Sequence, residues 1–271
     1  MQNDKINLSL IIPIGLMLFS FFFGAGNLIF PPVLGQMAGE NISWGMLGFC
    51  LSGVGFPLLG VLAMAMKQSD NPDSIAMPMH PLYARAVTIL CALAIGPLFA
   101  IPRTAAVSFD TGIHSLLPAS CEAIGLPVYT VFFFVLTYFF SINPSKIIGH
   151  IGKFLSPMLL ICLAVLVVCV FVNPTGSLKM PNPDFAASPF FRGFQEGYNT
   201  MDLLAAILFG SITIKAIEAQ GITDKKVLTK LCSYAGLIAA FFLAIIYAAL
   251  AYTGALSINV FGVIPNGATL L

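Results

Sequence analysis

Charge is what this sequence has least of. Asp, Glu, Lys and Arg together occupy 8% of its 271 positions, where a soluble domain carries roughly 25%. So few charges cannot cover a water-facing surface. The signs nearly cancel, at a net +1, and no Lys/Arg cluster offers the phosphate-binding patch that a nucleic-acid partner requires. Cysteines occur at Cys50, Cys91, Cys121, Cys162, Cys169 and Cys232, never as a C-x-x-C pair. That spacing indicates neither a metal site nor a disulfide framework, and small buried hydrophobes are their simplest role.

What fills the chain is apolar: 58% of residues are hydrophobic and the mean hydropathy is +0.96. No charged residue falls between Lys5 and Glu40, Glu40 and Lys67, Glu122 and Lys146, Lys153 and Lys179, or after Lys230. A helix crossing hydrocarbon needs about 20 largely apolar residues, and each gap is long enough. The continuous runs also differ from the alternation of barrel strands. The reading is an all-α integral membrane protein, one transmembrane domain over 1–271. Seven spans are expected at 8–35, 42–66, 82–114, 127–142, 154–172, 190–214 and 231–252. Proline-rich segments at 67–81 and 173–189 read as connections.

Loop charges orient the chain. With the N-terminus cytoplasmic, Lys5, Lys67, Arg85, Lys146, Lys153, Lys215, Lys225, Lys226 and Lys230 lie inside, and Lys179 and Arg192 lie outside. Nine against two satisfies the positive-inside rule.

Two spans carry interruptions. The first holds Phe22-Phe23-Gly24-Ala25-Gly26-Asn27, followed by Pro31-Pro32. Glycines weaken a helix, and prolines deprive the carbonyls of Asn27 and Leu28 of their donors. Backbone groups freed at membrane depth need protein or a water-filled cavity to satisfy them. The alternative is a glycine face for helix packing. The sixth span holds Gly193, Gly197, Tyr198, Asn199, Thr200 and Asp202 in its outer half. A carboxylate at mid-bilayer costs roughly 3 kcal/mol on insertion scales, so Asp202 either serves a site or sits at the outer water boundary. Paired broken helices point to a transporter site, where half-helix N-termini face an anion and C-termini offer carbonyls to a cation. In the third span, Arg103 and Asp110 share a helical face. They line a pathway or gate, or form a structural pair.

Three stretches resemble bacterial branched-chain amino acid:cation symporters: Phe22-Phe23-Gly24-Ala25-Gly26-Asn27-Leu28-Ile29-Phe30-Pro31-Pro32, Gly96-Pro97-Leu98-Phe99-Ala100-Ile101-Pro102-Arg103-Thr104-Ala105-Ala106, and Gly197-Tyr198-Asn199-Thr200-Met201-Asp202. The resemblance implies a five-plus-five inverted-repeat fold with broken first and sixth helices. It also implies leucine, isoleucine and valine as substrates and Na⁺ as the usual coupling ion. The Gly24-Ala25-Gly26-Asn27 stretch also resembles the first helix of sodium-coupled neurotransmitter-type symporters. That match makes Asn27 and the carbonyls of Ser20, Phe22 and Phe23 cation candidates, with Asp202 beside them. Gly24, Ala25 and Gly26 would face the substrate carboxylate, and Gly197, Tyr198, Asn199 and Thr200 complete the candidate substrate site. Seven spans leave the second repeat incomplete, so a shortened carrier is expected.

The expected activity is therefore cation-coupled symport across an inner membrane, with Na⁺ or H⁺ as the ion and no cofactor. Partners are the amino acid and membrane lipid, not nucleic acid. A non-transporting fragment of such a carrier is one alternative. A membrane-embedded enzyme is another, but no His-Glu-x-x-His, Gly-x-Ser-x-Gly or Walker motif supports it.

Overall fold

In hydrocarbon, every amide and carbonyl must find its partner inside the protein, which favours helices. The computed structural model describes residues 8–118, 122–142, 156–172 and 176–261, and no strand occurs among the described residues. Helices α1 (Leu8–Phe22) and α2 (Ala25–Ala38) run in sequence, interrupted at Phe23 and Gly24. A short 3-10 turn, Gly39–Asn41, leads into α3 (Ile42–Cys50), and a π-helical turn at Leu51–Gly55 joins α3 to α4 (Phe56–Lys67). Next come α5 (Pro81–Leu93), a second π-helical turn at Ala94–Leu98 and α6 (Ala100–Gly112). Helices α7 (Glu122–Ser141), α8 (Ser156–Val172) and the short α9 (Pro183–Ala187) follow. Last are α10 (Pro189–Tyr198), α11 (Asp202–Glu218) and α12 (Lys225–Phe261).

Four stretches among the described residues are long and apolar enough to cross a membrane: Ala25–Lys67, Pro81–Gly112, Ile124–Ser141 and Lys225–Ile258. Helices α10 and α11, bent by 46°, make a fifth if they form one span. Leu10–Phe22 and Pro157–Cys169 are shorter apolar helices. Helices α1 and α2, expected as one span, are separate, and residues 154 and 155 of the fifth expected span lie outside the described residues. Pro31 and Pro32 do not stop α2, which continues through both to Ala38.

The long α12 is the central post, packed against α1, α2 and α4; α10 lies on α3 and α11 on α4. Helices in lipid gain from close backbone approach at small residues, and glycines supply it here. A Cβ on Gly35 would fall on the Ala251 carbonyl, and one on Gly193 would fall on the carbonyl of Gly45. Leu18, Phe19, Leu34, Phe49, Leu243 and Tyr247 fill the core between these helices. This packing brings both interruptions to Tyr247 of α12.

Candidate functional site

The first interruption leaves donors exposed at the start of α2. Phe23 N–H still closes α1 on the Phe19 carbonyl at 2.8 Å. The amides of Ala25, Gly26 and Asn27 have no backbone acceptor among the described residues, as expected of the first turn of a helix. Gly24 is extended (φ −114°, ψ −171°), and its N–H donates to Asn27 Oδ1 at 3.0 Å. Asn27 therefore caps the break with its own side chain.

The second interruption is built on Met201. Its φ of 67° is left-handed, a conformation that costs a bulky residue energy and tends to persist where the surroundings impose it. Thr200 Oγ1 donates to the Gly197 carbonyl at 2.8 Å and accepts from Asp202 N–H at 3.5 Å. Asp202 opens α11, where the helix dipole favours a carboxylate.

The two breaks meet. Asn27 Nδ2 donates to Asp202 Oδ2 at 2.5 Å and also to the Tyr247 hydroxyl, which in turn donates to Asp202 Oδ2 at 3.3 Å. Asn27, Asp202 and Tyr247 are 2%, 4% and 0% exposed. Buried polar groups require such mutual satisfaction. The Tyr247 ring is fixed by Phe23, stacked at 6.3 Å, and by Phe49, edge-on at 5.2 Å.

Arg103 arrives from the third element. Proline disfavours the helical region for the residue before it, and Gly96, ahead of Pro97, takes ψ −115° inside the π-helical turn. The bend starts α6 afresh at Ala100 and brings Arg103 to the second break. Its Nη1 donates to the Asn199 carbonyl at 3.3 Å and its Nη2 to the Thr200 carbonyl at 3.5 Å. Cζ stands 5.5 Å from the Phe30 ring centroid, within cation–π range. A Cβ on Gly26 would come within 2.6 Å of Arg103 Nη2, so a side chain there would displace the guanidinium.

Between these groups lies a cavity of about 90 Å³. Gly24, Gly26, Asn27, Arg103, Thr200 and Asp202 form its polar wall, and Phe21, Phe22 and Phe209 its apolar one. The arrangement offers amide and guanidinium donors, carbonyl acceptors and an aromatic surface. Its chemistry matches a small zwitterion with an apolar side chain. No group of three or more His, Cys, Asp or Glu suited to a metal occurs among the described residues.

Of the candidate residues read from the sequence, Phe22, Gly24, Ala25, Gly26, Asn27, Arg103, Thr200 and Asp202 line the cavity. Asn199 contributes its carbonyl through Arg103, while its side chain donates to Glu196 at 3.4 Å. Gly197 is turned onto Ser52 and Phe49 of the neighbouring helix, and Tyr198 is 49% exposed and outside the lining. Ser20 and Phe23 also lie outside it. No ion pair joins Asp110 to Arg103 among the described residues. Tyr247 and Met201 were not singled out from the sequence. A lone phenol in the apolar run Leu243–Leu250 was a signal for the first; nothing marks a methionine as left-handed.

The sequence profile of the family described as branched-chain amino acid transport protein matches residues 7–271. The branched-chain amino acid permease BrnQ of Bacillus subtilis is 45% identical over 270 residues, covering 100% of this chain and 61% of the permease. The permease BraB of the same organism is 43% identical over 260 residues, 96% of this chain and 58% of its own length. BrnQ of Escherichia coli K12 is 38% identical over 261 residues, 96% of this chain and 59% of that protein. These relatives are transport permeases, not enzymes, and this chain spans about 60% of their length. No solved structure matches it. With a profile match from residue 7 to residue 271, the chain belongs to the branched-chain amino acid transport protein family.

Proposed function

We propose that this chain carries the substrate and coupling-ion sites of a carrier that moves leucine, isoleucine and valine across a bacterial inner membrane with Na⁺. The observation that carries this reading is the buried Asn27–Asp202–Tyr247 junction, which ties two helix breaks to one cavity. The amides opening α2 receive the substrate carboxylate, and carbonyls at the second break receive its ammonium. Phe21, Phe22 and Phe209 take the branched side chain. Asn27, Asp202 and the carbonyls of Ser20, Phe22 and Phe23 hold the cation. In this reading the chain forms seven spans of a five-plus-five inverted repeat, N-terminus cytoplasmic, with the second repeat incomplete. The relatives' greater length supports the incomplete repeat, and their being branched-chain amino acid permeases supports the substrate class.

Binding of radiolabelled leucine to the purified chain in nanodiscs, in NaCl and in choline chloride, tests the proposal. Saturable binding that strengthens with Na⁺ is expected. Absence of saturable leucine binding in both salts contradicts it. Proton coupling is the second reading, favoured by the presence of one buried titratable carboxyl, Asp202, at the junction of the two breaks; leucine affinity would then follow pH and ignore Na⁺.

A further inference from the structure

Arg103 is an under-used donor in a costly place. A guanidinium carries five N–H donors in a planar fork, and an arginine within a membrane span faces a cavity or a partner by necessity. Here its two hydrogen bonds, 3.3 and 3.5 Å, exceed the usual 2.9–3.0 Å. Its Nε is buried and finds no partner; Ser74 Oγ is the other such atom among the described residues. The fork therefore rests loosely on the carbonyls of Asn199 and Thr200 while one edge remains unclaimed.

Its position gives this slack a use. Nη2 lies against Gly26, so the guanidinium and the open amides of α2 converge on one end of the cavity. Donors gather at that end, with the Thr200 carbonyl beside them. A carboxylate has two oxygens to fill it, and a planar guanidinium is the side chain that matches a carboxylate bidentately. Through Nη1 and Nη2 the guanidinium meets two carbonyl oxygens, which are what an ammonium seeks.

We propose that Arg103 is the residue that recognises the substrate carboxylate, and that in the empty site its guanidinium occupies the carbonyls of Asn199 and Thr200 that the substrate ammonium takes later. This rests on the carrier reading above. The arriving carboxylate draws the guanidinium onto itself and vacates the two carbonyls, so both ends of a zwitterion are needed together. An amine of the same shape finds the carbonyls occupied by a tethered cation and brings nothing to remove it. Asp202 balances Arg103 in the empty site, and a neutral zwitterion preserves that balance.

The test is competition against labelled leucine by leucine, leucinamide and 3-methylbutylamine on the purified chain, with Arg103→Gln and Arg103→Lys alongside. The unmodified chain should prefer leucine over leucinamide by about a hundredfold or more. Arg103→Gln should weaken leucine by about ten- to a hundredfold, the loss of a charge-assisted pair, and leave leucinamide equal or tighter, so the preference collapses. Arg103→Lys, which keeps the charge but not the fork, should fall between them; if Arg103→Gln does not fold, this variant carries the test. Equal weakening of leucine and leucinamide in both variants, with the ratio unchanged, means a merely structural arginine and overturns the inference. Failure of the unmodified chain to bind leucine overturns the carrier reading and this inference with it.

Discussion

Asn27 and Asp202, 175 positions apart in sequence, meet through a 2.5 Å hydrogen bond from the asparagine amide to the carboxylate. Each stands within a few residues of a helix break, and each is buried. The bond therefore fixes the register of one broken helix against the other. Anything that changes the charge or donors at this junction is felt by both halves of the cavity wall.

Tyr247→Phe removes one donor from Asp202 and keeps the ring that packs between Phe23 and Phe49. A buried hydrogen bond contributes about 1 kcal/mol net. The Tm should fall by about 2–4 °C, and the Na⁺ concentration giving half-maximal leucine binding should rise about fivefold. Differential scanning fluorimetry and a Na⁺ titration check the two effects. An unaltered Na⁺ dependence would separate the phenol from the ion site.

Gly26→Leu should abolish leucine binding while the protein remains inserted, because leucine is the more apolar residue in lipid. The structural reason is the 2.6 Å approach of a Cβ to Arg103 Nη2: a leucine side chain displaces the guanidinium and projects into the cavity. Leu34 is fully buried and would be a poor control. Leu47→Ala, at a position 57% exposed, should bind normally. Equal leucine affinity in Gly26→Leu and the unmodified chain would make this glycine a packing device.

Gly193→Ala acts on stability. Its Cβ would land on the Gly45 carbonyl, forcing α10 away from α3, and overpacking of this kind costs about 1–3 kcal/mol. A lowered Tm, with leucine restoring part of the loss by mass action, is the expected pattern in thermal unfolding. An unchanged Tm would show that the two backbones are not in contact.

Much of this was legible in the sequence for identifiable reasons. Charge-free runs mark helices because the bilayer tolerates little else. The Gly-x-Gly-Asn run marks the first break because donors released there need an acceptor, and Asn27 provides one to Gly24. The second break was harder to place. Gly193 and Gly197 suggested it, yet both remain helical and serve contact with α3, while Met201 makes the turn. Sequence cannot separate a glycine used for approach from one used for a bend. Arg103 and Asp110 share a face by period, but a bend at Gly96–Pro97 decides where that face points. Tyr247 was invisible to periodicity because its partners lie 45 and 220 residues away.

Reconstituted by itself, the 271-residue chain should bind leucine without net uptake. Alternating access rocks one bundle against another, and the chain spans 61% of the BrnQ it matches in Bacillus subtilis. Uptake of labelled leucine into proteoliposomes at the rate of that permease would refute this.

The most direct measurement is leucine affinity as a function of Na⁺ concentration at constant ionic strength and pH, for the unmodified chain and Asp202→Asn. The substitution keeps the size of the side chain and removes the charge beside Asn27 that is proposed to hold the cation. Affinity should rise with Na⁺ in the unmodified chain, by about tenfold or more across the titration, and stay flat in Asp202→Asn. Identical Na⁺ dependence in the two proteins would contradict the claim that the junction of the broken helices is the ion-coupled site.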